Sequence, residues 1–110
     1  MTTSEPSLTT KISTAASSQD CFSIDAPVFD GNLRAKNRRL VIFAGGDESV
    51  VKHLSPIFAL LGKVNYMGAT GKGQFAKLAN QITITSKFFI IINYVLFFFF
   101  FFFFLIVFYL

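Results

Sequence analysis

Between Gly68 and Ser86 the chain reads GATGKGQFAKLANQITITS. Three glycines around Lys72, followed by Lys77, Asn80 and Gln81, are residue types that could hold a phosphate or move a proton. A P-loop needs a glycine, four residues, then Gly-Lys-Ser/Thr. Counting back from Gly71-Lys72, Tyr66 stands where the first glycine belongs, and Gly73 replaces the hydroxyl residue. The dinucleotide turn GxGxxG occurs nowhere in the 110 residues. The glycine cluster therefore reads as a turn from a strand into a helix. In that helix Phe75, Leu78, Ala79 and Ile82 follow the i, i+3, i+4, i+7 rule and define one apolar face. Lys77 and Gln81, four apart, share another face. Spacing alone leaves Lys77 a solvated lysine.

The elements that must position these residues follow from periodicity. SEPSLTTKISTAASSQ carries Leu8, Ile12, Ala15 and Ala16 at helical spacing, with Pro6 in the first turn. CFSIDAPV reads as a short buried strand ending at Pro27, and FDGNLRAKNRR as a loop. LVIFAGG is a β-rich apolar run stopped by two glycines. Asp47 is placed to cap a helix through Val50, Val51, Leu54, Phe58 and Leu61. Pro56 interrupts that pattern, so Ser55 is expected to cap a second piece that Gly62 ends. KVNYMG is a third strand. Strands alternating with helices imply an α/β domain with a mainly parallel sheet. Three strands make a thin sheet with uncovered edges. The expected fold is the C-terminal half of such a domain, followed by a hydrophobic helix.

Composition is uneven along the chain. Sixteen residues are Phe, eight of them consecutive from Phe97 to Phe104. Phe88–Leu110 carries no charge, and Asn93 is its only strongly polar side chain. A helix needs about 20 apolar residues to cross a bilayer, so the stretch suffices. Lys63, Lys72, Lys77 and Lys87 precede it, which would place the N-terminal part in the cytoplasm. The net charge is +4, with Arg34, Lys36, Arg38 and Arg39 clustered. No aromatic interleaving accompanies them, so a solvated basic loop is expected and no nucleic-acid partner. Cys21 is the only cysteine, which excludes an intrachain disulfide, and it is expected to be buried. MTTSEPSLTTKISTAASS has no apolar core and is no secretory signal. No metal-ligand set is expected.

Three segments together are specific: CFSIDAPV, LVIFAGGDESVVKHLSPIFALLGKVNYMG and ATGKGQFAKLANQITITS. They closely resemble the β-hydroxyacid dehydrogenases, which include 3-hydroxyisobutyrate dehydrogenase and glyoxylate/succinic semialdehyde reductase. That family is related to the 6-phosphogluconate dehydrogenase NADP-binding domain. The resemblance covers Met1 to Ser86 and implies a Rossmann-like NAD(P)-binding fold. It implies residues 1–67 as part of that NADP-binding domain and 68–87 as the start of an inter-domain catalytic helix. Residues 88–110 lie outside it. Thr3 matches a position that contacts the NAD or NADP cofactor. Lys77 matches the catalytic lysine, which handles the proton at the substrate oxygen while hydride moves. A lysine can do such acid–base work when a closed site lowers its pKa. Gln81 falls where many members carry a substrate-binding Asn, and Asn80 is its neighbour. The implied substrate is a small hydroxyacid or semialdehyde.

The departures from the family pattern are equally specific. Its substrate loop reads roughly DAPVSGG, and here DAPVFDG stands. Phe29 replaces the serine that would hold a substrate carboxylate, Asp30 replaces the next glycine, and Gly31 keeps the last. Two further expected glycines are Arg34 and Arg38, and positive φ at either would be strained. The family's glycine turn for the pyrophosphate lies upstream of Met1, and its helical C-terminal domain should follow Ser86. The chain thus reads as a fragment of an NAD(P)-dependent oxidoreductase, inactive by itself. Two readings of 88–110 stay open: a membrane anchor with lipid as partner, and translated intron in a truncated gene. Ser86-Lys87-Phe88 can be encoded with GTAAGT, a usual intron start, so transcript reads across those codons decide. A buried core helix is not expected, because eight consecutive Phe leave no polar face. The alternative function is a non-enzymatic single-span membrane protein with a small cytoplasmic α/β head. Without the tail, a soluble cytoplasmic or organellar location is expected.

Overall fold

The computed structural model describes residues 1–29 and 32–109. The elements in order are α1 (Pro6–Ser17), β1 (Val28–Phe29), α2 (Asn32–Lys36), β2 (Leu40–Gly45), α3 (Glu48–His53), α4 (Ser55–Leu61), β3 (Gly62–Gly68) and α5 (Lys72–Tyr109). Two compact units divide the chain, Met1–Ala79 and Asn80–Leu110.

The first unit is built on a three-stranded sheet in the order β1-β2-β3. β2 is the centre because its β-rich run can be covered on both faces. Ile42 is fully buried, and Ala26, Ala44, Val51 and Phe58 complete the buried core. Burying one such isoleucine contributes roughly 1.5–3 kcal/mol. β2 and β3 run parallel, pairing Leu40 with Gly62 and Ile42 with Val64, because α3 and α4 supply the crossover that a parallel pair needs. β1 pairs with β2 antiparallel, Val28 opposite Ile42. The sheet is therefore mixed, not mainly parallel: the short connection through α2 lets the chain return only in the opposite sense.

Several local expectations shift by a few residues. The strand expected over CFSIDAPV is reduced to a single bridge between Asp25 and Gly45, with the ladder proper at Val28–Phe29. Pro27 has no N–H to add to the ladder, though its carbonyl accepts from the Phe43 N–H at 3.0 Å. The basic stretch expected as loop contains α2, with Arg34 and Lys36 in it and Arg38 and Arg39 just after it, all four exposed. Cys21 is exposed, not buried, because it follows α1 in the turn rather than opening a strand. Asp47 caps α3 as expected, its carboxylate accepting from the N–H groups of Ser49 (2.8 Å) and Val50 (3.4 Å). Ser55 does not cap α4. It is already helical, and Leu54 occupies the cap position without a side-chain bond, with Pro56 in the first turn and Gly62 at the end.

The second unit is helical to Tyr109. Its Phe-rich surface is exposed, and rings four apart lie against each other, Phe97 on Phe101 at 6.5 Å and Phe104 on Phe108 at 4.3 Å. The Asn93 Nδ2 donates back to the Phe89 carbonyl at 2.8 Å. Among the described residues, α5 is the one helix long and apolar enough to cross a membrane by length and composition.

Candidate functional site

The start of α5 lies against Asp25, and the contact is made by backbone groups. The first N–H groups of any helix lack intrahelical partners. Here the Asp25 carboxylate serves two of them from outside the helix: Oδ1 accepts from Gly71 N–H at 2.8 Å and Oδ2 from Gln74 N–H at 2.9 Å. Asp25 is 5% exposed, so these bonds replace lost hydration. Asp25 is itself fixed by backbone bonds to and from Gly45. Two glycines make room for the carboxylate. A Cβ on Gly45 would lie 2.6 Å from Asp25 Oδ1, and one on Gly73 would lie 2.7 Å from Oδ2. Gly71 turns the chain into the helix at φ 87°, a conformation costly for other residues.

Gln74, the next residue of the first turn, is 2% exposed. Its Oε1 accepts from Ser4 N–H at 3.0 Å, and its Nε2 donates to the Thr2 carbonyl at 2.7 Å. One side chain thus binds the N-terminal segment on both sides of Thr3, whose own side chain is exposed. A hollow of about 100 Å³ borders this segment, lined among others by Thr2, Ser4, Asp25 and Gln74.

Lys77 follows one turn later. It is half-buried, not solvated: Nζ donates to the Val28 carbonyl at 2.7 Å and stands 5.5 Å from the centre of the Phe29 ring. An ammonium has three donors. Val28 takes one, and another can meet a ligand oxygen. The apolar face expected from Phe75, Leu78 and Ile82 is exposed instead. The inward positions are Gly73 and Gln74, because the helix is docked by hydrogen bonds and close backbone approach rather than by apolar side chains. Asn80 and Gln81 belong to the second unit. Asn80 is half-buried, and its Nδ2 has no partner among the described residues. The Gln81 side chain is exposed, and its carbonyl accepts from the Thr85 hydroxyl at 2.9 Å. Gly31 and Asp30 lie outside the described residues.

Thus Lys77 meets the DAPVF segment, and the Thr3 segment meets the same helix. Asp25 and Gln74 were not legible as site residues, because their partners lie 46 to 72 positions away. The only hint was Asp25 in an otherwise apolar run.

The chain is similar to several known proteins. Residues 1–71 match the family model of the NAD binding domain of 6-phosphogluconate dehydrogenase. The chain is similar to a probable 3-hydroxyisobutyrate dehydrogenase-like 1, mitochondrial, of Arabidopsis thaliana, with 70% identity over 86 residues, 78% of this chain and 26% of the relative. It is also 45% identical over 62 residues to the 2-hydroxy-3-oxopropionate reductase of Escherichia coli, covering 56% of this chain and 21% of that protein. Among solved structures, the Mycobacterium tuberculosis 3-hydroxyisobutyrate dehydrogenase with L-serine superposes with a TM-score of 0.73 at 30% identity, covering 74% of this chain and 28% of that one. The chain spans about a quarter of the length of the curated relatives it matches.

Proposed function

The chain belongs to the family of the NAD-binding domain of 6-phosphogluconate dehydrogenase, and on that premise we propose that it is a segment of an NAD(P)-dependent oxidoreductase for a small hydroxyacid or semialdehyde. The observation that carries the reading is the half-buried Lys77 ammonium, held against the Val28 carbonyl by a helix whose first turn is bound to Asp25. In this reading Lys77 holds or receives the proton at the substrate's hydroxyl or carbonyl oxygen. Gln81, Asn80 and Gly31 contribute to substrate binding. The relatives' names, a hydroxyacid dehydrogenase and an oxo-acid reductase, support the substrate class.

The cofactor fit is partial. Thr3 is exposed on a segment that Gln74 fixes, so it can meet the nicotinamide end of NAD or NADP. The adjoining hollow of about 100 Å³ is too small to enclose a dinucleotide, since sites for drug-sized ligands run to about 300–1,000 Å³. No GxGxxG turn is present in the 110 residues to receive the pyrophosphate. When bound, the nicotinamide group supplies or accepts the hydride. The 110 residues alone are therefore proposed to be inactive. In this scheme 1–67 is part of the cofactor domain and 68–87 begins the catalytic helix.

A chimera tests the site. The matching 86 residues of the Arabidopsis relative are exchanged for residues 1–86 of this chain. The chimera should retain NAD(P)H binding, and Lys77→Ala should lower its turnover about 10²–10⁴-fold, the usual contribution of general acid–base catalysis. Phe29→Ser with Asp30→Gly should lower KM for an acid substrate, because a carboxylate would regain a hydroxyl partner and lose a like charge. Unchanged turnover after Lys77→Ala would remove the catalytic assignment.

The second reading rests on the exposed apolar surface of residues 88–109. That surface favours a membrane-held helix with lipid as partner, and the lysines that precede it favour the α/β part in the cytoplasm. The mitochondrial designation of the Arabidopsis relative favours an organellar place for the α/β part.

A further inference from the structure

The buried carboxamide of Gln74 is used at both ends. Its oxygen takes the Ser4 N–H at 3.0 Å, and its nitrogen gives a bond to the Thr2 carbonyl at 2.7 Å. This is the pairing a neighbouring strand would make, supplied here by one side chain. The backbone N–H of the same residue is held by Asp25, and Lys77 stands three positions on, a neighbour on the helix surface. A leucine at position 74 could fill the same space but could make neither bond. We propose that Gln74 is a positioning residue that couples the Thr2–Ser4 segment to Lys77, setting where Thr3 stands relative to the ammonium. The inference rests on the reading of Thr3 as a nicotinamide contact and of Lys77 as the proton-carrying group.

Gln74→Glu tests it in the full chain, held in detergent micelles. A protonated carboxyl can still accept from Ser4 N–H and donate to the Thr2 carbonyl. An ionised one can only accept, and sets a negative oxygen against that carbonyl. The tie should therefore close at low pH and open as pH rises through the titration of the introduced carboxyl. The wild-type carboxamide does not titrate. The charged groups around position 74 are Asp25, which accepts from its N–H, the Met1 amino group on the shared hollow, Glu5 beside Ser4, and Lys72 and Lys77 on the same helix. All are present in the wild type, which is the control at each pH. Gln74→Leu lacks the tie at every pH.

Two signals are read between about pH 4 and pH 8: amide exchange at Ser4, and the NMR resonance of the Lys77 CεH2 group. At the upper pH, Ser4 should exchange at least about tenfold faster in Gln74→Glu than in the wild type, and the Lys77 resonance should move. Both should return towards wild type at the lower pH, while Gln74→Leu stays displaced throughout. Three outcomes overturn the proposal: Ser4 exchange unchanged in both variants; Ser4 released with the Lys77 resonance unmoved; or protection lost throughout Leu40–Gly45, which would make Gln74 a general core residue. Neither ligand nor turnover enters this experiment. Its failure would leave the oxidoreductase reading intact, and a failed chimera would leave its result intact.

Discussion

At the residue scale, what a side chain does here depends on its backbone as much as on its chemistry. Arg38 stands in the left-handed region at φ 55°, just past α2, where the Arg39 N–H closes back on the Arg34 carbonyl at 2.8 Å. That is the position where helices end most cheaply on glycine. Arg34, the other arginine expected at a glycine position, is helical and carries no such strain. Arg38→Gly should therefore stabilise the chain by about 0.5–1 kcal/mol, relief of left-handed strain outweighing the added freedom of the unfolded chain. The urea midpoint should rise with an unchanged slope. Phe29 is a substitution of another kind. In place of a hydroxyl it puts an aromatic face beside Lys77, a contact worth about 0.5–1 kcal/mol at such a site. The residue type was legible from the loop motif, but its contact with Lys77 was not, since 48 positions separate them.

At the element scale, the start of α5 depends on Asp25. Asp25→Ala would leave the Gly71 and Gln74 N–H groups buried without acceptors. Hydrogen bonds to charged groups contribute about 1.5–3 kcal/mol, so the loss should be about 3 kcal/mol. Amide protection should fall both at Gln74 and across β2, and loss at Gln74 alone would contradict the view that the helix start and the sheet fold as one piece. α3 gives a contrasting, exposed cap. Hydrogen bonds from Ser49 and Val50 lower the Asp47 pKa below 3.8. A carboxylate with a lowered folded-state pKa adds stability that is complete above its unfolded value and disappears as pH falls through the folded one. The difference in unfolding midpoint between wild type and Asp47→Ala should be full at neutral pH and shrink as pH falls below the ordinary carboxylate range. The cap at Asp47 was legible because its partners are two and three residues away. The helix in the basic stretch was not, because Asn, Gly and Asp signal turns whether or not a short helix lies between them.

At the scale of the whole molecule, the two units obey different physics. The α/β part buries few large side chains and relies on backbone bonds across distant segments. The Phe-rich part makes its ring contacts within one helix and leaves its apolar surface bare. The chain should therefore cosediment with neutral phospholipid vesicles and resist extraction by salt or alkaline carbonate. Removal of residues 88–110 should release it, and wild-type protein that stays in the supernatant would sink the membrane reading. The α/β alternation, the strands β2 and β3 and the two helices between them could be read from apolar periodicity and turn residues, which are local signals, whereas the antiparallel β1 could not. The ties of Asp25, Gln74 and Lys77 could not, because a hydrogen bond leaves no periodicity behind.

Those long ties also set an order of events during synthesis. Asp25 emerges from the ribosome well before Gly71 and Gln74, its two N–H donors, have been added to the chain. Until then its carboxylate is satisfied only by water, and drawing it into the interior is unfavourable. The nascent strand region must wait, hydrated and open, through most of the translation of the α/β part. The residues that complete that part are followed closely by the phenylalanines. The moment at which the sheet can close is thus almost the moment at which a strongly water-averse helix begins to appear, so the time left for folding before that helix seeks a lipid or chaperone surface is short.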